Sequence, residues 1–304
     1  MAPKIIVILN PIAGKGKATK SRPLIDAFLK ERGLDYELFL TERAGHAMEI
    51  AQNCRLKEDT IVTAAGGDGT ANEVANGLLR RGTPSPPVMA VLPVGRGNDF
   101  SYNAGVGGDL TDALVKLAEG RHYPLDAGVV RGGFFPDGRY FVNGLGIGFD
   151  CKVGFEAAKL RIKSGLTYAI GALITLLKYE DSPVLEVEYD GKKLELSAAI
   201  VSIMNGVRMG GVFMMGPSAL IDDGVFDICM VRDPRRRARL LKIIFSYTKG
   251  GQEAFEETVI DRGREFLLKA VSGGMAAHCD GETVCTQGTE LTVKCIPSAL
   301  RLIR

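Results

Sequence analysis

Three times within its first hundred residues the chain runs from an apolar, β-prone stretch straight into a glycine-rich turn. Lys4–Leu9 leads into NPIAGKG (Asn10–Gly16), Thr60–Ala65 into GGDGT (Gly66–Thr70), and Val88–Leu92 into LPVGRGNDF (Leu92–Phe100). Helical spacing separates these strands. Leu24, Ala27, Phe28 and Glu31 mark a helix over Lys20–Arg32 that stops at Gly33, and Gly45–Asn53 and Thr70–Arg81 read as two more. Tyr36–Leu40 is a further strand between the first two helices. Strands alternating with helices predict a parallel sheet with helices on its faces. Nearly continuous apolar strands fit a sheet buried on both sides. Ligands of such sheets bind beyond the carboxyl ends of the strands, the edge on which all three turns would meet.

From about Tyr123 the pattern changes. Strand-like runs follow one another: PLDAGVV, RYFVNGLGIG, LEVEYDG, LELSAAIVSIMN, VFDICMV, EFLLKAV and ELTVKCI. Several alternate apolar and polar residues, as antiparallel sheets with one wet face do. Two helices near residues 151–179 interrupt them, and another is expected over about 235–249. The fold class is therefore an α/β N-terminal domain, Rossmann-like with a parallel sheet, over residues 1–122, followed by a β-rich domain over 123–296. The longest apolar segment, GLTYAIGALITLLKY (Gly165–Tyr179), is shorter than the ~20 residues needed to cross a bilayer and reads as a buried helix. MAPKIIVILNP lacks the length and cleavage site of a signal peptide.

The net charge of +2 gives no overall attraction to nucleic acid, so no nucleic-acid partner is expected. Six cysteines, at 54, 151, 229, 279, 285 and 295, form no CxxC pair. They are expected to be buried thiols of a reduced, cytoplasmic protein. The three histidines, His46, His122 and His278, are too scattered to suggest a metal motif.

The 38 glycines exceed the usual share of about 7% and concentrate in the turns. Glycine lets backbone N–H groups approach an anion without a Cβ in the way. A helix that starts just after such a turn adds its free amides and dipole. The three turns together look built for the phosphates of a nucleotide, although neither the GxxxxGK[ST] loop nor a GxGxxG fingerprint is present. Asp68, alone among the glycines, would repel phosphate unless a cation intervened. A divalent ion such as Mg²⁺ is held by carboxylate and phosphate oxygens together, with Asn72 and Glu73 placed to support it.

NPIAGKG, GGDGTANEV and LPVGRGNDF, in this order, resemble the diacylglycerol kinase catalytic domain family, which includes bacterial lipid kinases and the sphingosine and ceramide kinases. GGDGT alone is shared with NAD kinases and phosphofructokinases. Downstream, MNGVRMGGVFMMGPSALIDDGVFDI (Met204–Ile228) and CDGE (Cys279–Glu282) look like later motifs of the same family. The resemblance spans essentially the whole chain. It implies a C-terminal β-sandwich, a tail over about 297–304 that returns to the first domain, and ATP with Mg²⁺ as cofactors. Carried over residue by residue, it implies that Asn10, Gly14, Gly16 and Thr41 line the nucleotide site. Gly66, Gly67, Asp68, Gly69 and Thr70 would hold the phosphates, with Glu73, Asn98 and Asp99 beside them. Asp280 matches the general base that accepts the proton of a lipid hydroxyl. Asp126 matches an aspartate linked through metal to the active site, and Leu220, Asp223 and Val225 a further metal position. Arg96 stands where the family usually has Thr or Ser; its guanidinium would either pair with a phosphate or point outward.

The expected reaction is phosphorylation of a lipid alcohol, diacylglycerol first. An NAD kinase-like enzyme and a nucleotide-binding regulator without catalysis remain alternatives. Asp280 and Asp223 each also fit the Asp-Gly signal of a hairpin turn, and Asp126 the start of a strand. Arg232–Lys242 is rich in basic residues ahead of an apolar helical pattern. It is either a solvated face or a peripheral contact with anionic lipid, on the inner membrane face. A homodimer is also expected, with no motif behind it.

Overall fold

The computed structural model describes residues 3–159, 170–171, 174–176, 178 and 182–304. Its first sheet has the parallel order β2 (Tyr36–Leu40), β1 (Ile5–Leu9), β3 (Ile61–Gly66), β4 (Val88–Pro93). Every residue of β1, β3 and β4 is buried, whereas β2 lies at the edge and is partly exposed. Helices α1 (Ala13–Glu31), α2 (His46–Asn53), α3 (Asp68–Leu79), α4 (Asp99–Asn103) and α5 (Leu110–Glu119) connect or follow these strands. Ile25, Leu29, Val74, Leu78, Leu114 and Leu117 join the strands in one core. Each such side chain, when fully buried, contributes about 1.5–3 kcal/mol.

The α1 segment departs from the sequence expectation at its start, because Gly14, Lys15 and Gly16 are left-handed and form a turn ahead of the regular helix. Two helices were missed. α4 has only five residues, and α5 is signalled only by its ends: Asp109 accepts from Thr111 N and Asp112 N, and left-handed Gly120 closes it.

The rest of the chain forms a β-sandwich. β5 (His122–Gly132), β6 (Phe135–Phe141), β8 (Val184–Tyr189), β14 (Glu265–Ser272) and β17 (Glu290–Ile303) continue the first sheet through antiparallel pairings. β7 (Gly144–Gly148), β12 (Phe226–Arg232), β13 (Thr258–Gly263), β15 (Met275–Cys279) and β16 (Glu282–Gly288) form the facing layer. The long strand β9 (Lys192–Met204) pairs with β8 at one end and with β7 and β12 at the other, so it serves both layers. Phe141, Val187, Phe226, Phe266 and Leu291 fill the space between them. The short hairpin β10–β11 (Arg208–Met209, Phe213–Met214) stands apart. A third apolar cluster covers the outer side of the facing layer, where α6 (Phe149–Lys159) and α7 (Arg237–Ser246) lie. The apolar segment Gly165–Tyr179 falls mostly outside the described residues. Among the described residues no helix is long and apolar enough to cross a membrane.

β17 joins the two halves. Its first part pairs with β14, its last part runs parallel to β4 (Arg301 opposite Val88), and β5 follows it throughout. The register breaks between Ile296 and Leu300, where Ser298 is left-handed. All six cysteines are free, five of them buried, and burial pushes their thiols up, Cys229 to about 11.

Candidate active site

The three glycine turns converge by backbone contact. A Cβ on Gly14 would stand 2.5 Å from Val94 O, and one on Gly95 would stand 2.4 Å from Gly67 Cα. Val94 N and Gly95 N both donate to Gly66 O, at 3.1 and 2.9 Å. A Cβ on Gly66 would fall 2.2 Å from Thr70 Oγ1. Asn10 closes the group: its Nδ2 donates to Thr70 Oγ1 at 3.2 Å and its Oδ1 accepts from Ile12 N. Thr41 ends β2 on the same edge, with its N–H on Leu9 O. The free amides at the start of α3, including those of Gly69 and Thr70, open onto this edge and suit an anion. Arg96 is exposed and has no hydrogen-bond or ion-pair partner among the described residues.

Asp68 begins α3, and its Oδ1 accepts from Phe100 N at 2.9 Å, which ties the β3 turn to the β4 turn. Burial pushes its carboxyl up; the backbone N–H groups of Phe100 and Asp99 oppose this, and the charges of Asp99 and Asp280 add to it. Asp99 is buried, with Oδ1 on Arg208 Nε at 2.8 Å and Oδ2 on Gly211 N at 2.9 Å. The Arg208 guanidinium lies 3.9 Å above the Tyr102 ring. Asn98, left-handed, precedes Asp99 and packs against Gly95.

The second domain supplies the opposite wall. Asp280, left-handed in the β15–β16 turn, receives four N–H donors. Oδ1 accepts from Asn143 N (3.1 Å) and Gly144 N (2.9 Å). Oδ2 accepts from Val142 N (2.8 Å) and from Asn72 Nδ2 on α3 (2.9 Å). A carboxylate offers about four acceptor positions, so this one is fully engaged. Burial pushes its carboxyl up, and the four donors oppose that shift. Asn72 also accepts from the buried Arg139, at 2.7 Å. Asn76, one turn along α3, gives Nδ2 to Tyr140 O (2.8 Å) and takes Tyr140 N (3.0 Å). Its amide thus pairs with β6 as another strand would.

A third set of contacts binds α4 to the same wall. Asn103 Nδ2 donates to Arg208 O and to Asn143 Oδ1, and Asn103 Oδ1 accepts from Arg208 N. Asn143 Nδ2 also donates to Arg208 O, at 3.0 Å. Asn205 Nδ2 donates to Asp126 O and Val142 O. A Cβ on Gly206 would stand 2.4 Å from Asn103 Nδ2 and Asn143 Oδ1, so any side chain there would push both amides out of their hydrogen bonds.

Glu73 is not turned to the glycine edge: its oxygens accept from Gly45 N (2.9 Å) and Ala47 N (3.0 Å), capping α2. Asp126 is wholly buried and clasps two backbones, Gly224 N at 2.6 Å and Ser298 N at 2.7 Å. Burial pushes its carboxyl up, opposed by those two donors, with the charges of Asp223 and Asp222 adding to the rise. Leu220, Asp223 and Val225 share the turn that Asp126 holds. Asp223 caps Val225 N, and Arg262 Nη1 lies 3.5 Å from its Oδ2, so a guanidinium already faces that carboxylate. Among the described residues no three His, Cys, Asp or Glu side chains gather as a metal cluster. Asp68 suits a cation better: one of its oxygens is engaged by backbone, which leaves the other for an ion that shares its remaining positions with phosphate.

Asn76, Arg139, Asn143, Asn205 and Arg208 had no role assigned from the sequence. Two Asn-Gly pairs inside apolar runs, Asn143-Gly144 and Asn205-Gly206, were the available signal.

A family model of the diacylglycerol kinase catalytic domain matches residues 4–130. A second, of the YegS C-terminal NAD kinase beta sandwich-like domain, matches residues 144–304. The chain is 30% identical over 283 residues to a diacylglycerol kinase of Bacillus subtilis, covering 91% of this chain and 88% of that protein. It is 27% identical to a diacylglycerol kinase of Staphylococcus aureus, covering 91% and 85%. A solved structure of a diacylglycerol kinase from Bacillus anthracis shares the fold, with a TM-score of 0.72, 21% identity, and coverage of 99% of this chain and 96% of that one.

Proposed function

The chain belongs to the diacylglycerol kinase catalytic domain family, a family of lipid kinases, and from that premise we propose that it transfers the γ-phosphoryl group of ATP to the hydroxyl of diacylglycerol. One observation carries the reading. Asn72, on the helix that follows the GGDGT turn, donates to the Asp280 carboxylate at 2.9 Å and so ties the glycine edge to the β15–β16 turn.

In this reading Gly14, Gly16, Gly66, Gly67, Gly69 and Thr70 admit the phosphates of ATP to backbone donors, with Asn10, Thr41 and Asn98 shaping the turns. Mg²⁺, when bound at Asp68, neutralises phosphate charge. Arg96 reaches toward the phosphates from the β4 turn. The lipid hydroxyl approaches Asp280 and attacks the γ-phosphorus. A new O–P bond forms, the bond to the β-phosphate oxygen breaks, ADP leaves, and the hydroxyl proton passes to Asp280. For this the carboxylate must release one donor. Asn72 Nδ2 is the one side chain among the four, so the hydroxyl takes its place while the three backbone donors hold the carboxylate still. Asp126 and the 220–225 turn keep the C-terminal strand in register behind this wall.

A lipid acceptor requires contact with a membrane surface. Arg232, Arg235, Arg236 and Lys242 are exposed, as is Phe245 on α7, and together they suit the face of an anionic bilayer. Arg239 does not contribute, because Glu257 engages it at 2.7 and 2.9 Å.

The test is transfer of labelled γ-phosphate from ATP to diacylglycerol, monoacylglycerol, sphingosine, ceramide and NAD, with and without Mg²⁺. Mg²⁺-dependent label in diacylglycerol is expected. Label in NAD alone, or in none of the acceptors, contradicts the proposal.

A further inference from the structure

Arg139 is 7% exposed and lies on the buried face of β6 that it shares with Phe141. Among the described residues no carboxylate forms an ion pair with it. Nε makes no hydrogen bond, and the Phe135 ring lies 5.6 Å from Cζ. Its hydrogen bond within the described residues runs from Nη2 to Asn72 Oδ1, at 2.7 Å. Taking a charge out of water without an opposite charge beside it is costly. A methionine of similar length would fill the same place without that cost, so the guanidinium has a task at Asn72.

Asn72 is itself almost wholly buried and meets four groups. Oδ1 accepts from Arg139 at 2.7 Å and from Asn76 Nδ2 at 3.2 Å. Nδ2 donates to Asp280 Oδ2 at 2.9 Å and to Tyr140 O at 3.2 Å. Asn76 is the weaker anchor, because its Nδ2 sits closer to Asn72 O (2.9 Å) and Tyr140 O (2.8 Å). An amide oxygen only accepts and an amide nitrogen only donates. Turned over, the Asn72 amide would set its NH2 against a guanidinium and its oxygen against a carboxylate. Arg139 and Asp280 therefore fix it from both ends: a cation and an anion are joined through one dipole, and each hydrogen bond polarises the next.

We propose that Arg139 is a positioning residue for phosphoryl transfer: it anchors Asn72 Oδ1, so that Asn72 Nδ2 holds the Asp280 carboxylate until the acceptor hydroxyl takes its place. Released from Asp280, Nδ2 keeps Tyr140 O, and Oδ1 stays on Arg139. The amide thus gives way without leaving a buried polar group unpaired. Arg139 touches neither nucleotide nor lipid and acts only through Asn72. The inference rests on the lipid-kinase reading and adds a residue to its machinery.

The experiment measures kcat, the KM for ATP and the melting temperature of wild type, Arg139→Met, Arg139→Lys, Asn72→Ala and the double variant Arg139→Met/Asn72→Ala, with 1,2-dioctanoylglycerol in mixed micelles as acceptor. Arg139→Met is expected to lower kcat by about tenfold, the scale of one hydrogen bond to a charged group, with the KM for ATP unchanged. Its melting temperature does not fall, because a buried charge without a carboxylate partner has been removed. Arg139→Lys, whose ammonium still donates to Oδ1, recovers part of kcat. In the Asn72→Ala background Arg139→Met has no further effect on kcat, since the two residues act as one unit. A kcat for Arg139→Met equal to wild type, or a fall by the same factor with and without Asn72, overturns the inference. So does a joint loss of kcat, ATP affinity and melting temperature that Arg139→Lys does not recover, which marks a merely structural role. If wild type transfers no phosphate to this lipid, the kinase reading fails separately, and the side-chain ¹⁵N signal of Asn72, identified by its absence in Asn72→Ala, decides. A signal that moves in Arg139→Met and returns in Arg139→Lys supports the positioning role, and one that Arg139→Met leaves in place, or that Arg139→Lys does not recover, overturns it.

Discussion

The two sides of the junction between the domains are built by opposite means. On the first domain the glycine turns touch backbone to backbone, with side chains removed wherever they would collide. On the second, the buried amides of Asn143 and Asn205, with Asn72 and Asn76 reaching across from α3 of the first domain, hold strand ends and carboxylates through side-chain hydrogen bonds. The first side leaves the amides at the start of α3 uncapped, and the second consumes nearly all of its own donors. A wall of open N–H groups suits phosphate, whose charge and shape it matches. A wall whose side-chain amides are mostly engaged holds one carboxylate in a fixed place.

This contrast is broken most strongly at Asp280. Asp280→Asn should lower kcat by about 10²–10⁴-fold, the usual worth of a general base. Burial raises the Asp280 pKa, so the acid limb of the wild-type kcat profile should fall at a higher pH than for an ordinary aspartate, and the variant should lose that limb. The sign for stability is the reverse of a salt-bridged carboxylate. With the folded pKa raised, the group favours folding below its unfolded pKa, and that contribution disappears as pH rises through the folded value.

Arg208→Met leaves Asp99 buried without its partner and should cost about 2–3 kcal/mol, read by denaturant unfolding. Gly95→Ala tests the other wall. Its Cβ meets the backbone of Gly67, which cannot move aside as a flexible side chain would, so a loss of about 1–3 kcal/mol with weakened ATP binding is expected. Glu73→Ala removes the cap of α2 and should cost about 1 kcal/mol, seen as a lower melting temperature. The smallest effect is at Arg96, where Arg96→Thr should raise the KM for ATP by a few-fold, as loss of an exposed charge contact does.

The legibility of the two walls in the sequence differs for the same physical reason. Glycine turns are local: NPIAGKG, GGDGT and LPVGRGNDF carry their backbone demands within a few residues, and the helices and strands around them follow from periodicity. α5 was missed although Asp109 and Gly120 mark its ends. The second wall depends on pairs far apart in the chain. Asn72 reaches Asp280 across 208 positions, and Arg208 reaches Asp99 across 109. No spacing rule links such residues, and only the family resemblance pointed to Asp280. Glu73 shows the converse case. Its place beside GGDGT implies support for the cation and phosphates, and its side chain leaves the helix toward Gly45 and Ala47.

The central claim is that one wall binds nucleotide and the other supplies the carboxylate for transfer. Its most direct test measures ATP binding and phosphate transfer to dioctanoylglycerol on the same preparations of wild type and Asp280→Asn. Binding equal in both proteins, with transfer lost only in the variant, is the predicted result. Transfer that survives in Asp280→Asn, or binding and transfer lost together, would contradict it.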